Sequence, residues 1–312
     1  MNKRDAMLNL VDGEPAPGYV SAAFFLHFDS AYHQGQAAID KHLEFFHATD
    51  MDFVKIQYEQ LQPPAAPIGK AADWAHVPLY PAAFFDPTLA VVEGLVKAAR
   101  REALVIMTIY SPLMWTVRVD REVDLGQHLR ENPEAVAKGL EIMTENVLTL
   151  VRGCKRAGVD GFYVSTQGGE TFRFPGTNFF REYIKPTDLA VWDEIGDCPF
   201  NILHICDYVG SYDDLTPFLD YPGHVVNCSL QVGARTFLPS EAAVLFRRPF
   251  MGGLDRKGKV ATGNLAQVRQ AVVGVLDTAP DRFILGADCT VASDTPWENL
   301  RTAINAAHAA LR

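Results

Sequence analysis

Apolar residues in this chain follow two periods in alternation. Short runs of four to eight, rich in β-branched and aromatic residues, read as strands, and stretches with apolar positions three and four apart read as helices. Strand-like runs occupy residues 18–25, 52–57, 104–110, 160–165, 201–205, 224–229, 249–253 and 283–286. Helical spacing covers 36–47, with Ala38, Ile39, Leu43 and Phe46 on one face, then 86–102, 133–157, 177–195, a short segment at 211–219, 264–276 and 296–311. Pro87 at the first turn of one helix and Gly158 just past the end of another are the expected punctuation. Residues 62–81, rich in proline and alanine, and 111–124, which carry Trp115 and Arg118, show no clear period and are expected to be irregular. Loops that long within a compact domain are often lids or binding loops.

Eight strands separated by helices over a chain of 312 residues is the count of a (β/α)8 TIM barrel. An open doubly wound sheet is the rival, and it would favour Gly-x-Gly-x-x-Gly after the first strand, which is absent. No repeat, low-complexity tract or compositional break marks a linker, so residues 1–312 are expected to form one α/β barrel domain.

Composition narrows the partners. The formal net charge is −10 and the pI about 5.4, with no basic tract, which argues against nucleic acid or an anionic membrane surface. The first residues are charged and lead into no apolar segment of a signal peptide, and no run has the length of a membrane span. The five cysteines are odd in number and scattered, unlike a disulfide framework. A reducing cytoplasm is the expected setting, where a Cys/His cluster points to metal or catalysis.

The candidate chemistry centres on His204 and Cys206. Residues two apart on a strand share a face, so both side chains point the same way from the run at 201–205, and Cys289 follows the run at 283–286. One imidazole and two thiolates at strand ends can hold zinc with one position open. A lone His-x-Cys pair in an apolar strand is more often plain core; the third cysteine is what favours a metal. Strands five and eight are not neighbours in a barrel, so the three meet only if the metal sits over the mouth and the last loop leans inward. Glu170, Asp255, Gln57, Glu59, Tyr110 and Asn227 are candidates for a fourth ligand or for substrate contacts, with Glu170 or Asp255 able to close the metal site when substrate is absent. Gln167, Asp207 and Asp288 also fall at strand ends, where capping of loops and helices is the competing explanation. Lys55 would need a desolvated surround to serve as a Schiff-base lysine; pairing with a carboxylate is the preferred reading. Cys154 and Cys198 are expected to be structural, Cys228 to pack beneath the site, and His224 to lie at the surface or rim.

The segments Arg248-Pro-Phe-Met-Gly-Gly-Leu-Asp255, Thr262-Gly-Asn-Leu265, Phe283-Ile-Leu-Gly286 and Asp294-Thr-Pro-Trp-Glu-Asn-Leu300 resemble the uroporphyrinogen decarboxylase superfamily. Ala157-Gly-Val-Asp-Gly-Phe-Tyr163 and Phe180-Arg-Glu-Tyr-Ile-Lys-Pro186 are similar to it too. The resemblance spans about two thirds of the chain and implies a (β/α)8 barrel. It implies one of two activities. The decarboxylase branch holds its substrate's carboxylates with an Arg-Gln-Ala-Gly-Arg-Tyr stretch after the first strand and has an essential Asp after the second. Here the first region reads Ser21-Ala-Ala-Phe-Phe-Leu-His-Phe-Asp29, without arginine, and Gln57 stands near the Asp position. Uroporphyrinogen decarboxylation is therefore rejected. The other branch is the zinc methyltransferases that move a methyl group from a corrinoid protein to a thiol, and their His-x-Cys…Cys motif is matched by His204, Cys206 and Cys289. The resemblance thus implies a zinc-dependent enzyme that activates a thiol as its zinc thiolate, with a methylated corrinoid carried by a partner protein. The alternatives left open are a lyase or decarboxylase of the same superfamily acting on a small acid, and a barrel that binds a corrinoid or tetrapyrrole without turnover.

Overall fold

The computed structural model describes residues 2–60, 68–119 and 124–310, with the side chains of residues 117–119 also outside the description. Parts of the two stretches expected to be irregular, the side chain of Arg118 and the end of the last expected helix therefore lie outside the description. Eight parallel strands make one sheet: β1 (Ser21–Ala22), β2 (Phe53–Ile56), β3 (Leu104–Tyr110), β4 (Gly161–Thr166), β5 (Ile202–Ile205), β6 (Val225–Cys228), β7 (Phe250–Leu254) and β8 (Phe283–Ala287). Their order is β1-β8-β7-β6-β5-β4-β3-β2. Five fall inside the apolar runs that signalled them, and β4, β7 and β8 extend one residue beyond theirs. Every residue of β2 to β6 and β8 is buried, as expected of parallel strands covered on both faces.

The ring closes at β1, and the closure is unusual. Asp52, just before β2, donates its backbone N–H to the Ala22 carbonyl at 3.0 Å. Its carboxylate accepts the Ala22 N–H at 2.6 Å, taking the place of a strand carbonyl. Tyr19 and His308 bond to the same carboxylate, His308 at 2.9 Å. The first strand, expected over 18–25, is paired at only two residues for this reason: on its β2 side a side chain stands in for the ladder.

The principal outer helices follow the apolar periodicity. These are α2 (Gly35–Thr49), α3 (Asp86–Ala99), α6 (Pro133–Ala157), α7 (Lys185–Glu194), α10 (Leu265–Leu276) and α11 (Trp297–His308). The longest, α6, buries Val136, Leu140, Met143, Val147, Leu150 and Cys154 at helical spacing. Asn132 caps its first turn, and Gly158 ends it at φ 90°, a conformation that favours glycine. The helical segment foreseen at 177–195 begins with a π-helical turn, Phe180–Ile184, that runs into α7.

Several elements differ from expectation. The 111–124 stretch contains a helix, α4 (Pro112–Val119), whose Trp115 is fully buried and stacks on Tyr58 with centroids 5.9 Å apart. Two turns of helix are too short for a period to stand out. Helices α1 (Lys3–Asp12), α5 (Leu125–Glu131), α8 (Pro239–Phe246) and α9 (Lys259–Thr262) were not anticipated. Residues 71–76, within the other irregular stretch, form a 3-10 helix. The short helix expected at 211–219 is only a 3-10 turn, Thr216–Phe218. Helix α1 packs against the β2–β3 edge. There Arg4 pairs with Asp160, which also accepts the Val105 N–H at 2.9 Å. Because Asp160 precedes β4, helix α1 is tied to the N-terminal end of the barrel, opposite the face that carries Cys206 and Cys289. Among the described residues no helix is long and apolar enough to cross a membrane.

One outer-layer contact carries a stability prediction. Asp188 on α7 is buried, and one of its oxygens accepts from the hydroxyls of Thr166, at 2.5 Å, and Tyr221, at 3.0 Å. Burial pushes its carboxyl up to about 7. The folded protein thus holds this proton more tightly than the unfolded chain. The contribution is full below the ordinary carboxyl range and is lost as pH rises towards 7. Asp188→Asn keeps an acceptor without a charge. It is expected to raise unfolding free energy on the order of 4 kcal/mol at pH 8. The gain shrinks by pH 5, as urea titrations at the two pH values would register. An equal gain at both would rule the charge out as its cause.

Candidate metal centre

His204 is the third residue of β5, and Cys206 follows the strand by one position. Its backbone N–H still bonds the Thr166 carbonyl on β4 at 3.0 Å, which extends the strand geometry and keeps both side chains on one face. Cys289 lies two residues past the end of β8. The ligand-capable atoms of His204, Cys206 and Cys289 all lie within 4.8 Å of one another, with His204 Nε2 3.4 Å from Cys289 Sγ. All three are buried, and all five cysteines are free thiols. The loop after β8 does lean inward far enough to span the distance from β5.

The electrostatics match two thiols sharing one proton. A hydrogen bond from Cys289, reinforced by His204, holds the Cys206 thiol well below its ordinary range, against the cost of burial. Cys289 is held well above it by the same contact. The imidazole plane is fixed by stacking: the Tyr163 ring lies 4.9 Å from it at 28°. Tyr163 is itself anchored, its hydroxyl donating to Asn227 Oδ1 at 2.6 Å, while Asn227 Nδ2 bonds the carbonyls of Met251 and Ala287. His204 Nδ1 is a buried atom with no hydrogen-bond partner among the described residues. Two sulfurs and an imidazole nitrogen, poised in a buried cluster without a carboxylate among the described residues, are the donor set that zinc takes.

The other sequence candidates lie around this centre. Glu170 is outside the cluster: its carboxylate is clamped by Arg173 at 2.8 and 2.9 Å and by the Gly168 N–H. It also bonds Tyr212, whose hydroxyl is 3.4 Å from the Cys206 carbonyl. Asp255 is exposed and accepts the Lys257 N–H. Neither belongs to the group that meets at the metal position. Asn227 is fully engaged with protein, as described. Gln57 Nε2 reaches Tyr110 and His27 at 3.1 Å each, and His27 pairs with Glu59 at 2.8 Å, so these four form a separate polar network at the mouth. Gln167 is buried beside Thr166. Cys154 and Cys198 are buried away from the cluster, and burial holds Cys228 up to about 12, as suits a packed thiol. His224 is half-buried and accepts the Asn201 N–H at 2.9 Å, ahead of β6 and so on the N-terminal end of the barrel.

Lys55 departs from expectation. No carboxylate pairs with it among the described residues. Its Nζ donates to Gln57 Oε1 at 2.5 Å and sits over the rings of Phe25 and Tyr163 at 4.5 and 4.8 Å. Burial lowers its ammonium to about 7, while Cys289 and Glu59 act in the opposite direction. Sequence spacing could not reveal this, because the rings come from the chain after β1 and from β4. Tyr163 and Arg256 were likewise missed as parts of the site. The one signal for Arg256 was its place two residues past a strand end, between glycines.

The sequence profile described as "Uroporphyrinogen decarboxylase (URO-D)" matches residues 49–310, most of the chain. No curated protein matches the sequence. Among solved structures, the fold is similar to a methyltransferase from Methanosarcina mazei, at TM-score 0.79 and 14% identity, covering 98% of each chain. It is also similar to a B12-independent methionine synthase from Shewanella sp. W3-18-1, at TM-score 0.55 and 12% identity over 94% of this chain and 97% of that one. A putative vitamin-B12 independent methionine synthase from Listeria monocytogenes matches at TM-score 0.55 and 13% identity, with the same coverage. At these identities the likeness is one of fold. With its barrel in place and the profile matched from residue 49 to residue 310, the chain belongs to the uroporphyrinogen decarboxylase family.

Proposed function

We propose that this chain is a zinc-dependent methyltransferase with a thiol as acceptor and a methylated corrinoid, carried by a partner protein, as donor. The observation that carries the reading is the convergence of His204, Cys206 and Cys289 within 4.8 Å at the C-terminal mouth of the barrel, the face on which barrel enzymes build their sites. Zinc bound there would supply a Lewis acid that deprotonates a coordinating thiol near neutral pH without redox chemistry of its own.

The chain's own residues have definable parts. His204 and the two cysteines hold the ion, and Tyr163, braced by Asn227, fixes the imidazole plane. Two protein thiolates and a neutral imidazole bring the zinc site near zero net charge, so a third, substrate thiolate makes it negative and keeps electron density on sulfur. A methylated corrinoid would supply the methyl group at this mouth, and His204, Cys206 and Cys289 would hold the zinc that keeps the acceptor thiol deprotonated. Phe172, Tyr208 and Val209 are exposed on the loops after β4 and β5, an apolar rim beside the cysteines on which a corrinoid protein would rest.

Purified protein, metal-stripped and then reloaded with zinc, is expected to consume methylcobalamin in the presence of small thiols and to yield the methyl thioether by mass spectrometry. Activity should follow zinc content. Equal turnover with and without zinc, or no zinc uptake by folded protein, would sink the proposal.

A further inference from the structure

The two thiols reach one point from strands that are not neighbours, since β6 and β7 lie between β5 and β8. What joins their loops is Arg256, on the turn that follows β7. Its Nη1 donates to Asp207 Oδ1 at 2.7 Å and to Asp288 Oδ2 at 3.0 Å. Its backbone N–H donates to the other Asp288 oxygen at 2.8 Å. Asp207 is the residue after Cys206, and Asp288 the residue before Cys289. One guanidinium thus holds the residue adjoining each sulfur ligand. The three side chains are 11, 14 and 15% exposed, so solvent screens these bonds far less than it would at the open surface. Asp288 is further tied to β7 through its N–H to the Leu254 carbonyl at 2.9 Å, which fixes the Cys289 side of the clamp. On the Cys206 side, the tie to the β7 turn among the described residues is the Arg256–Asp207 contact.

Charge alone does not account for this arrangement. A lysine could balance the carboxylates as a point charge. Here Nη1 of a rigid, planar group bridges both carboxylates while the backbone N–H of the same residue holds the second Asp288 oxygen, so side chain and turn act together. Two aspartates placed directly against the cysteines would raise the negative charge around a thiolate pair, so the guanidinium offsets them as well as joining them.

We propose that Arg256 is a positioning residue for the metal centre: by gripping Asp207 and Asp288 it sets the separation of Cys206 and Cys289, and with it the geometry offered to a tetrahedral cation. The metal part of this inference rests on the zinc reading; the thiol-spacing part does not. The test therefore has two readouts. In metal-free protein, mild oxidation with diamide should form the Cys206–Cys289 disulfide, followed by mass spectrometry. Arg256→Met should slow this pairing about tenfold by relaxing the two loops, with Arg256→Lys intermediate. In cobalt(II)-loaded protein, the visible d–d bands report coordination geometry. Arg256→Met should shift them and weaken zinc binding roughly 10- to 100-fold, the range that outer-shell partners of metal ligands command. Neutralising the carboxylates as well (Asp207→Asn, Asp288→Asn in the Arg256→Met background) should not restore either readout; restoration would make Arg256 a charge neutraliser only and overturn the positioning role. Unchanged disulfide rates in Arg256→Met and Arg256→Lys would overturn it too. If wild-type protein takes up neither zinc nor cobalt, the zinc reading fails while the disulfide rates still decide the clamp.

Discussion

Cys289→Ala is expected to remove zinc from the protein and leave the barrel standing. Cys289 lies beyond β8 in a loop, and its thiol contacts Cys206 and His204. Losing it empties a small volume next to the mouth and breaks no strand pairing. For the ion the loss is severe, because two protein donors remain where three converge. Since outer-shell partners alone command about 10- to 100-fold in affinity, removal of a ligand should cost at least that upper figure. Zinc per chain by atomic emission, together with competition against a chromophoric chelator, would measure it, and methyl transfer should fall in parallel. Cys154→Ala is the matched control: that thiol is buried in α6, far from the cluster in the fold, and its loss should leave zinc content at the wild-type level. Full zinc occupancy in Cys289→Ala would remove this cysteine from the site.

Lys55→Met is expected to make the metal-free protein markedly more stable at neutral pH. The folded protein binds the Lys55 proton less tightly than the unfolded chain does, since burial lowers the ammonium from 10.5 to about 7. Unfolding therefore takes up a proton across that window, and wild-type stability rises with pH between about 7 and 10.5. Below pH 7 the whole cost of a buried charge is present, on the order of 4 kcal/mol. Methionine removes that cost and fills similar volume between Phe25 and Tyr163. Part of the gain is offset, on the order of 1 kcal/mol, because Gln57 Oε1 loses its donor. Urea unfolding at pH 6.5 and pH 9.5 should give a large difference between variant and wild type at the lower value and a small one at the higher. A pH-independent difference would assign the effect to packing. A lysine that weakens the fold to this degree is the kind of residue retained for a site, and its neighbours here include Cys289.

What could be read from the sequence follows physical range. Strand existence was legible because parallel strands buried on both faces are largely apolar, and β3 and β5 are interrupted only by Thr108 and His204. The shared face of His204 and Cys206 was legible because it needs only the two-residue period of a strand. Cys289 could be nominated by type and position, but whether its loop reached the other two depended on Arg256, Asp207 and Asp288. That contact joins residues 32 to 49 positions apart. Lys55 was misread for the same reason: its surround is assembled from β2 and from residues that the fold brings from outside it. Glu170 looked like a ligand because it follows a strand. Arg173, three residues on, had already claimed its carboxylate. Helix α4 was hidden by brevity, since eight residues offer a 3.6-residue period little room.

The pairing of β1 with β8 has a consequence for the order in which the molecule can be made. These strands register Ser21 with Ile284, so the first strand has its full ladder partner only after nearly the whole chain exists. Until then β2 to β7 can assemble as an open curl, with His204 and Cys206 already seated and the third donor still missing. Such distant pairings are the slow ones in folding. Cys289 arrives on the same strand extension that completes the ring, so the full donor set and the closed cylinder come into being together. A growing or half-folded chain presents only a weak pair of ligands. On the zinc reading, metal capture would be reserved for barrels that have been finished.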